Sequence, residues 1–194
     1  MGENNTRHRL YKTSTNTSIM NLKIILFSAS MAVALSLNAQ ENRNIELHSA
    51  TDQSTFSLNE VKTDFVALHF LLKTECPYCL RHTADYAAKE TGLPEVTQIF
   101  IKPDSEEEIR SWTKYLDKDN VGLTIYRDVE ATLAKKLEVP FGYKFHGQVV
   151  HYPALILLDK NGQEVFRYVG ESNADRLSFE ALVAKVEELR AKQE

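Results

Sequence analysis

Cysteine is scarce in this 194-residue chain: there are two, Cys76 and Cys79. Two cannot build the many-bridged framework of a small disulfide-stapled domain. Neither stands at the end of the apolar run near the start, so a lipid-anchored form is not indicated. Concentrated positive charge is missing as well. The formal net charge is −4 and there is no basic run, which excludes a phosphate-binding nucleic-acid surface. No apolar run reaches the roughly 20 residues that a membrane span takes. Internal repeats are absent. What is present is ordinary: with 43% hydrophobic and 26% charged residues, the chain can bury one core. Its length suits one domain plus extra segments.

Ile24 to Leu37 is an uncharged apolar run, preceded by Lys23 and followed by small residues ending at Ala39-Gln40. A short basic start, an apolar run and a small-residue exit make a secretory signal peptide, expected over residues 20–39 with cleavage after Ala39. A retained membrane anchor is the rival. Residues 1–19 are an uncertain leader rich in Asn, Thr and Arg. Met20-Asn21-Leu22-Lys23 is a complete signal start by itself, so translation is expected to begin at Met20 and residues 40–194 to form the domain. Export implies a periplasmic or other oxidising location, with no membrane span in the mature chain. A Cys76–Cys79 bridge closes a very small loop and removes little unfolded-chain entropy. That argues against a staple and for chemistry.

Phe65 to Leu72 is nearly all apolar between Asp64 and Lys73, as in a central strand covered on both faces. His69 inside it is expected to be a satisfied core histidine. A helical pattern follows through Leu80, Ala84, Ala87 and Ala88, with Pro77 in its first turn and Gly92 and Pro94 at its end. Glu95 to Ile101 predicts a second strand. Asp104 or Ser105 is positioned to cap a helix carrying Ile109, Trp112 and Leu116, and Glu106, Glu107 and Glu108 suit its positive end. Leu123 to Tyr126 predicts a short strand, Asp128 a cap for a helix through Val129, Leu133 and Leu137, and Phe141-Gly142-Tyr143 a loop. Val149 to Leu158 holds the last central strand, Asp159 to Gly162 a hairpin turn, and Val165 to Val169 the return strand. A closing helix is expected from about Asp175 to about Lys192. The expected architecture is α/β: a mixed sheet with helices on both faces.

Cys76 falls where a buried strand ends and a helix begins. Unpaired N–H groups there favour negative charge, so its thiol is expected to ionise readily. The thiolate attacks disulfides. Cys79, one turn on and less exposed, is the expected resolving thiol. A zinc site would need two further ligands. Only His82 is near in sequence, and His146 and His151 would have to arrive through the fold.

The stretch FVALHFLLKTECPYCLRH resembles the strand, active-site turn and helix of the thioredoxin superfamily, and VVHYPALILLDKNGQEVFRYVG resembles its second signature. The resemblance covers about residues 44–190. It implies a thioredoxin-like fold in which Pro153 is a cis-proline opening the strand beside the cysteines, and in which Tyr152 presents backbone to a bound substrate chain. Pro77 and Tyr78 would complete the substrate contacts. The extra strand and helix around residues 104–137, between the cysteine helix and that proline, resemble the TlpA-like and redoxin branch. That branch includes exported, often periplasmic, disulfide reductases. The implied activity is thiol:disulfide exchange with protein substrates through Cys76 and Cys79, with no cofactor beyond that pair, no metal, and an unidentified redox partner. Two departures stand out. Glu75 replaces the Trp common before the first cysteine, and an acid there opposes thiolate formation. Pro77-Tyr78 is a glutaredoxin-type dipeptide.

Two alternatives compete. A peroxiredoxin-type peroxidase would need Pro and Thr or Ser where this chain has His69 and Lys73, with Thr74 one place out of register. A copper carrier would use the two soft thiolates with His146 or His151. Arg81 and His82 are expected to be surface residues, and Tyr143, Phe145 and Tyr152 either line a groove near Pro153 or pack in the core.

Overall fold

The computed structural model describes residues 44–73, 75–116 and 123–192. The leader and the expected signal peptide lie outside them. Seven strands form one sheet: β1 (Glu46–Ser49), β2 (Thr55–Ser57), β3 (Phe65–Phe70), β4 (Val96–Lys102), β5 (Ile125–Arg127), β8 (Ala154–Asp159) and β9 (Glu164–Val169), in the order β2-β1-β5-β4-β3-β8-β9. The pairs β3–β4 and β4–β5 are parallel, whereas β8 and β9 run antiparallel to their neighbours. The expected parallel centre and antiparallel hairpin edge are both present.

Burial on both faces of β3 explains its unbroken apolar run. Phe65 and Ala67 face one core, where Phe100, Leu155 and Leu157 join them. Helices α1 (Pro77–Lys89), α2 (Glu106–Thr113) and α4 (Phe179–Ala191) cover that face through Tyr86, Trp112, Leu182 and Val186. Val66, Leu68, Ile99 and Ile156 face the opposite core, closed by Leu133, Ala134 and Leu137 of and beside α3 (Thr132–Lys136).

Caps set the helix starts. Ser105, not Asp104, begins α2: its hydroxyl accepts the Glu108 N–H while the Glu108 carboxylate accepts the Ser105 N–H. Such a cap is worth about 1 kcal/mol. Asp128 accepts the N–H groups of Leu133 and Ala134 at 2.8 and 2.9 Å. It reaches them across a kink where Glu130 and Ala131 have positive φ. Ser178 caps α4, later than the Asp175 start expected from sequence.

Two segments differ from expectation. Phe141–Phe145 is not a loop but strand β6, paired with β7 (Gln148–His151) in a separate two-stranded sheet. Its turn is His146-Gly147, both at positive φ. The last central strand, expected within Val149 to Leu158, is β8, and residues 149–151 are cut off from it into β7. Pro153, which has no N–H to give a ladder, stands at the cut. Leu47 and Ser49 of β1, in a stretch that reads as polar, point inward.

Candidate active site

Cys76 and Cys79 are joined in a disulfide, with their Cα atoms 5.2 Å apart. Cys76 is the cap residue of α1, and its Sγ accepts the Cys79 N–H at 3.0 Å. Pro77 at the first helical position has no N–H to leave unsatisfied. A sulfur so placed receives a backbone hydrogen bond and the positive end of the helix, both of which favour thiolate when the bridge is reduced.

The loop before the site is anchored from below. Lys102 ends β4 fully buried, donates to the Leu72 carbonyl at 2.6 Å, and lies 3.3 Å from the Asp104 carboxylate. Burial pushes its ammonium down to about 8 even though Asp104 holds it up. It stands 4.6 Å from the Trp112 ring. Glu75, directly before Cys76, has φ of +66° and is exposed.

The loop from Gly170 to Leu177 covers the sulfurs. Arg176 Nη2 lies 3.1 Å from Cys79 Sγ and 3.5 Å from Cys76 Sγ. Asn173 Oδ1 lies 3.0 Å from Cys76 Sγ. Asp175 knits the loop: its carboxylate accepts the Tyr168 hydroxyl and the Glu171 N–H. A Cβ on Gly170 would collide with the Asp175 carbonyl oxygen, so the fold-back requires glycine. Desolvation draws the Arg176 guanidinium down to about 10.

Both sulfurs are 0% exposed. The expectation that Cys76 is open while Cys79 is covered is corrected: Asn173 and Arg176 close over the pair. Sequence reasoning missed both residues because SNADR reads as polar loop and helix start. An Arg and an Asn in a stretch so rich in turn formers carry no periodic signal.

The cis expectation for Pro153 is also corrected, because the described residues contain no cis peptide. The chain occupies the backbone around it. The Tyr152 N–H donates to the Pro140 carbonyl at 2.8 Å, and the Pro153 carbonyl accepts the Gly170 N–H at 2.9 Å. Pro153 nevertheless shares a small cavity with Arg176, which touches both sulfurs. Pro77 and Tyr78 are exposed at the start of α1, and the Arg81 guanidinium lies 4.4 Å over the Tyr78 ring.

His82 is half-buried rather than exposed. Its Nε2 lies 2.9 Å from Nδ1 of the buried His69, whose own Nε2 lies 2.7 Å from Gln98 Oε1. Phe145 is buried in the core, Tyr143 packs against it, and Tyr152 meets the Tyr143 ring edge-on at 5.3 Å. Tyr152 and His151 line a separate apolar cavity of about 420 Å³ between the hairpin and α3. His151 Nδ1 donates to the Val139 carbonyl, and His146 packs against the Phe145 ring. Among the described residues no group of three or more His, Cys, Asp and Glu side chains gathers in a way that could hold a metal ion. No described helix is long and apolar enough to cross a membrane.

A strand, a cysteine pair capping the next helix, and a mixed sheet with a terminal hairpin define a thioredoxin-like thiol redox protein. The family is narrower: the AhpC/TSA family profile matches residues 37–165, and the chain belongs to that family. No curated protein matches it. Among solved structures it is similar to the Xanthomonas campestris bacterioferritin comigratory protein, with a TM-score of 0.60 and 15% identity over 79% of this chain and 94% of that one. It is similar to a cysteine-to-serine mutant of peroxiredoxin 6 of Arenicola marina, with a TM-score of 0.67 and 14% identity over 78% and 72%. A secreted Mycobacterium tuberculosis disulfide oxidoreductase, described as homologous to E. coli DsbE, gives 0.55 and 16% over 75% and 96%. At these identities the likeness is one of fold.

Proposed function

We propose that the chain is an exported thiol:disulfide oxidoreductase that exchanges disulfides with protein substrates, with Cys76 as nucleophile and Cys79 as resolving thiol. The observation that carries this is the cysteine pair itself. One sulfur caps a helix at 3.0 Å from a backbone N–H, the other is its bonded partner one turn on, and a guanidinium touches both. Reduced Cys76 attacks a substrate disulfide, forms a mixed disulfide, and releases one substrate sulfur as thiolate. Cys79 then attacks Cys76 Sγ, closes the internal bridge, and releases the second substrate sulfur. Two electrons pass to the substrate and no further cofactor is needed. A redox partner must reduce the bridge again. Substrate contacts are assigned to the exposed Pro77 and Tyr78 and to the Tyr152–Pro153 corner, the last through side chains, since the Tyr152 N–H is already used.

The test is turnover of a protein disulfide with a dithiol reductant. Cys76→Ser should abolish it, and Cys79→Ser should accumulate mixed disulfides whose contents name the substrate. Normal turnover by Cys76→Ser would falsify the proposal. Export from the segment at 20–39 is tested by the N-terminus of protein recovered outside the cytoplasm, expected at Gln40.

Family membership favours a second reading, thiol peroxidase. In it the reduced Cys76 thiolate attacks the peroxide O–O bond, releasing alcohol or water and becoming a sulfenic acid that Cys79 condenses with. His69 and Lys73 at the positions of the peroxiredoxin Pro and Thr weigh against it. Peroxide-dependent oxidation of the reduced protein, measured beside disulfide exchange, ranks the two.

A further inference from the structure

His69 is buried on β3, stacked on Phe100 and edge-on to Tyr86. A core histidine needs a partner for each nitrogen, and these partners form a directed chain. Gln98 Oε1 accepts only, so His69 carries its hydrogen on Nε2. His69 Nδ1 is then a lone pair, and His82 Nε2 must donate to it. That leaves His82 Nδ1 as an acceptor at the open end. Neutral imidazoles satisfy this chain throughout.

His82 stands one turn along the helix from the resolving cysteine. His82 follows Cys79 by three residues on α1, so the two share a face, and helical side chains lean back over the preceding turn. His82 also lines the small cavity beside Arg176, Asp175, Tyr168 and Pro153. Its volume of about 10 Å³ is near that of one water site. Arg176 reaches both sulfurs from its other side.

The charges around the pair fix its behaviour. Burial holds His69 down to about 4 and His82 well below its usual range, and the Arg176 charge lowers both further. The Asp175 carboxylate is taken by Tyr168 and the Glu171 N–H, and the Tyr86 hydroxyl by the Leu177 carbonyl. A thiolate at Cys79 would be the nearest counter-charge to Arg176.

We propose that His82, held in register by His69 and Gln98, is the proton acceptor for Cys79 in the resolving step. This rests on the thiol:disulfide exchange proposed above. The Cys79 S–H bond breaks as its proton passes to His82 Nδ1, directly or through one water. The Cys79 thiolate attacks Cys76 Sγ, the internal S–S bond forms, and the Cys76–substrate S–S bond breaks. The substrate thiolate leaves and recovers the proton from His82. Electrons move only between sulfurs, and no outside oxidant or base is required. Arg176, 3.1 Å from Cys79 Sγ, stabilises the new thiolate, and that thiolate in turn offsets the guanidinium charge that otherwise opposes an imidazolium at His82. His69 and Gln98 are positioning residues.

The test uses the reduced full-length protein and an aromatic disulfide, 5,5′-dithiobis(2-nitrobenzoate), which releases one coloured thiolate when Cys76 attacks and a second when Cys79 resolves. In His82→Phe, the second phase is expected to slow at least tenfold while the first stays within twofold. His69→Phe should slow the second phase less. An unchanged second phase in His82→Phe overturns the proposal. Should His82→Phe fail to fold, nitrogen-15 histidine spectra of the wild-type protein decide. Neutral Nε2–H tautomers in both rings, with the His82 titration moving upward on reduction, support it. A hydrogen on His82 Nδ1 in the oxidised protein, or a titration indifferent to reduction, overturns it. Loss of both coloured phases in the wild type would instead remove the exchange activity on which it rests.

Discussion

Arg176 Nη2 lies 3.1 Å from Cys79 Sγ, bringing a guanidinium from the loop before α4 onto the cysteine pair at the start of α1. Replacing it with Gln keeps the size and removes the charge. The thiolate absorbance of reduced Arg176→Gln is expected to titrate about one pH unit higher than wild type, since one unit corresponds to about 1.4 kcal/mol of lost charge interaction. Arg176→Lys should fall between. An unshifted titration would show that the helix start alone sets sulfur ionisation.

Asn173 covers Cys76 Sγ at 3.0 Å. Asn173→Ala should raise the rate of Cys76 alkylation by iodoacetamide several-fold while leaving urea stability within about 0.5 kcal/mol, as for a surface truncation. Equal rates would mean that this side chain does not limit access.

Glu75 combines an unfavourable backbone with an unfavourable charge. Glycine removes both, and at φ of +66° it should stabilise the fold by up to about 1 kcal/mol. Glu75→Gln removes the charge alone. Both variants should lower the Cys76 thiol titration, and Glu75→Gly alone should raise the thermal midpoint.

Much of this was legible in the sequence. The apolar run of β3, Pro77 at a helix start and the two cysteines locate the site with no structure at hand, because each is a local rule. The Asn173–Arg176 cover was not legible, because it depends on where a loop returns across the sheet. The β6–β7 hairpin was hidden for a related reason: Phe141 and Val149 are largely exposed and only Phe145 and Val150 are buried, so the stretch lacks the apolar alternation that announces a strand. His82 read as surface because its partner, His69, lies on another element.

The His69–His82 pair gives stability a defined pH dependence. Its folded titration lies below the unfolded value of 6.5, at about 4 for His69. Between those limits the unfolded chain holds a proton that the folded protein excludes, so stability is full above pH 6.5 and is lost as pH falls towards 4. The span corresponds to about 3 kcal/mol for His69. Urea unfolding of the oxidised protein at pH 5 and pH 7 should differ more in wild type than in His69→Phe. A pH difference unaltered by the substitution would assign it to other groups.

Lys102 and Asp104 are both buried, 3.3 Å apart. Removing one member of such a pair commonly costs roughly 3–5 kcal/mol. Lys102→Met should therefore destabilise strongly and loosen the Leu72 carbonyl it holds. The double variant Lys102→Met/Asp104→Leu should regain part of the loss. A Lys102→Met variant as stable as wild type would show that the pair is energetically neutral.

The sealed position of the two sulfurs has a consequence for traffic. A small thiol must displace Asn173 or Arg176 before it reaches sulfur, which slows exchange relative to an open bridge. Cover of this kind favours a reagent that binds the protein over one that merely collides with it.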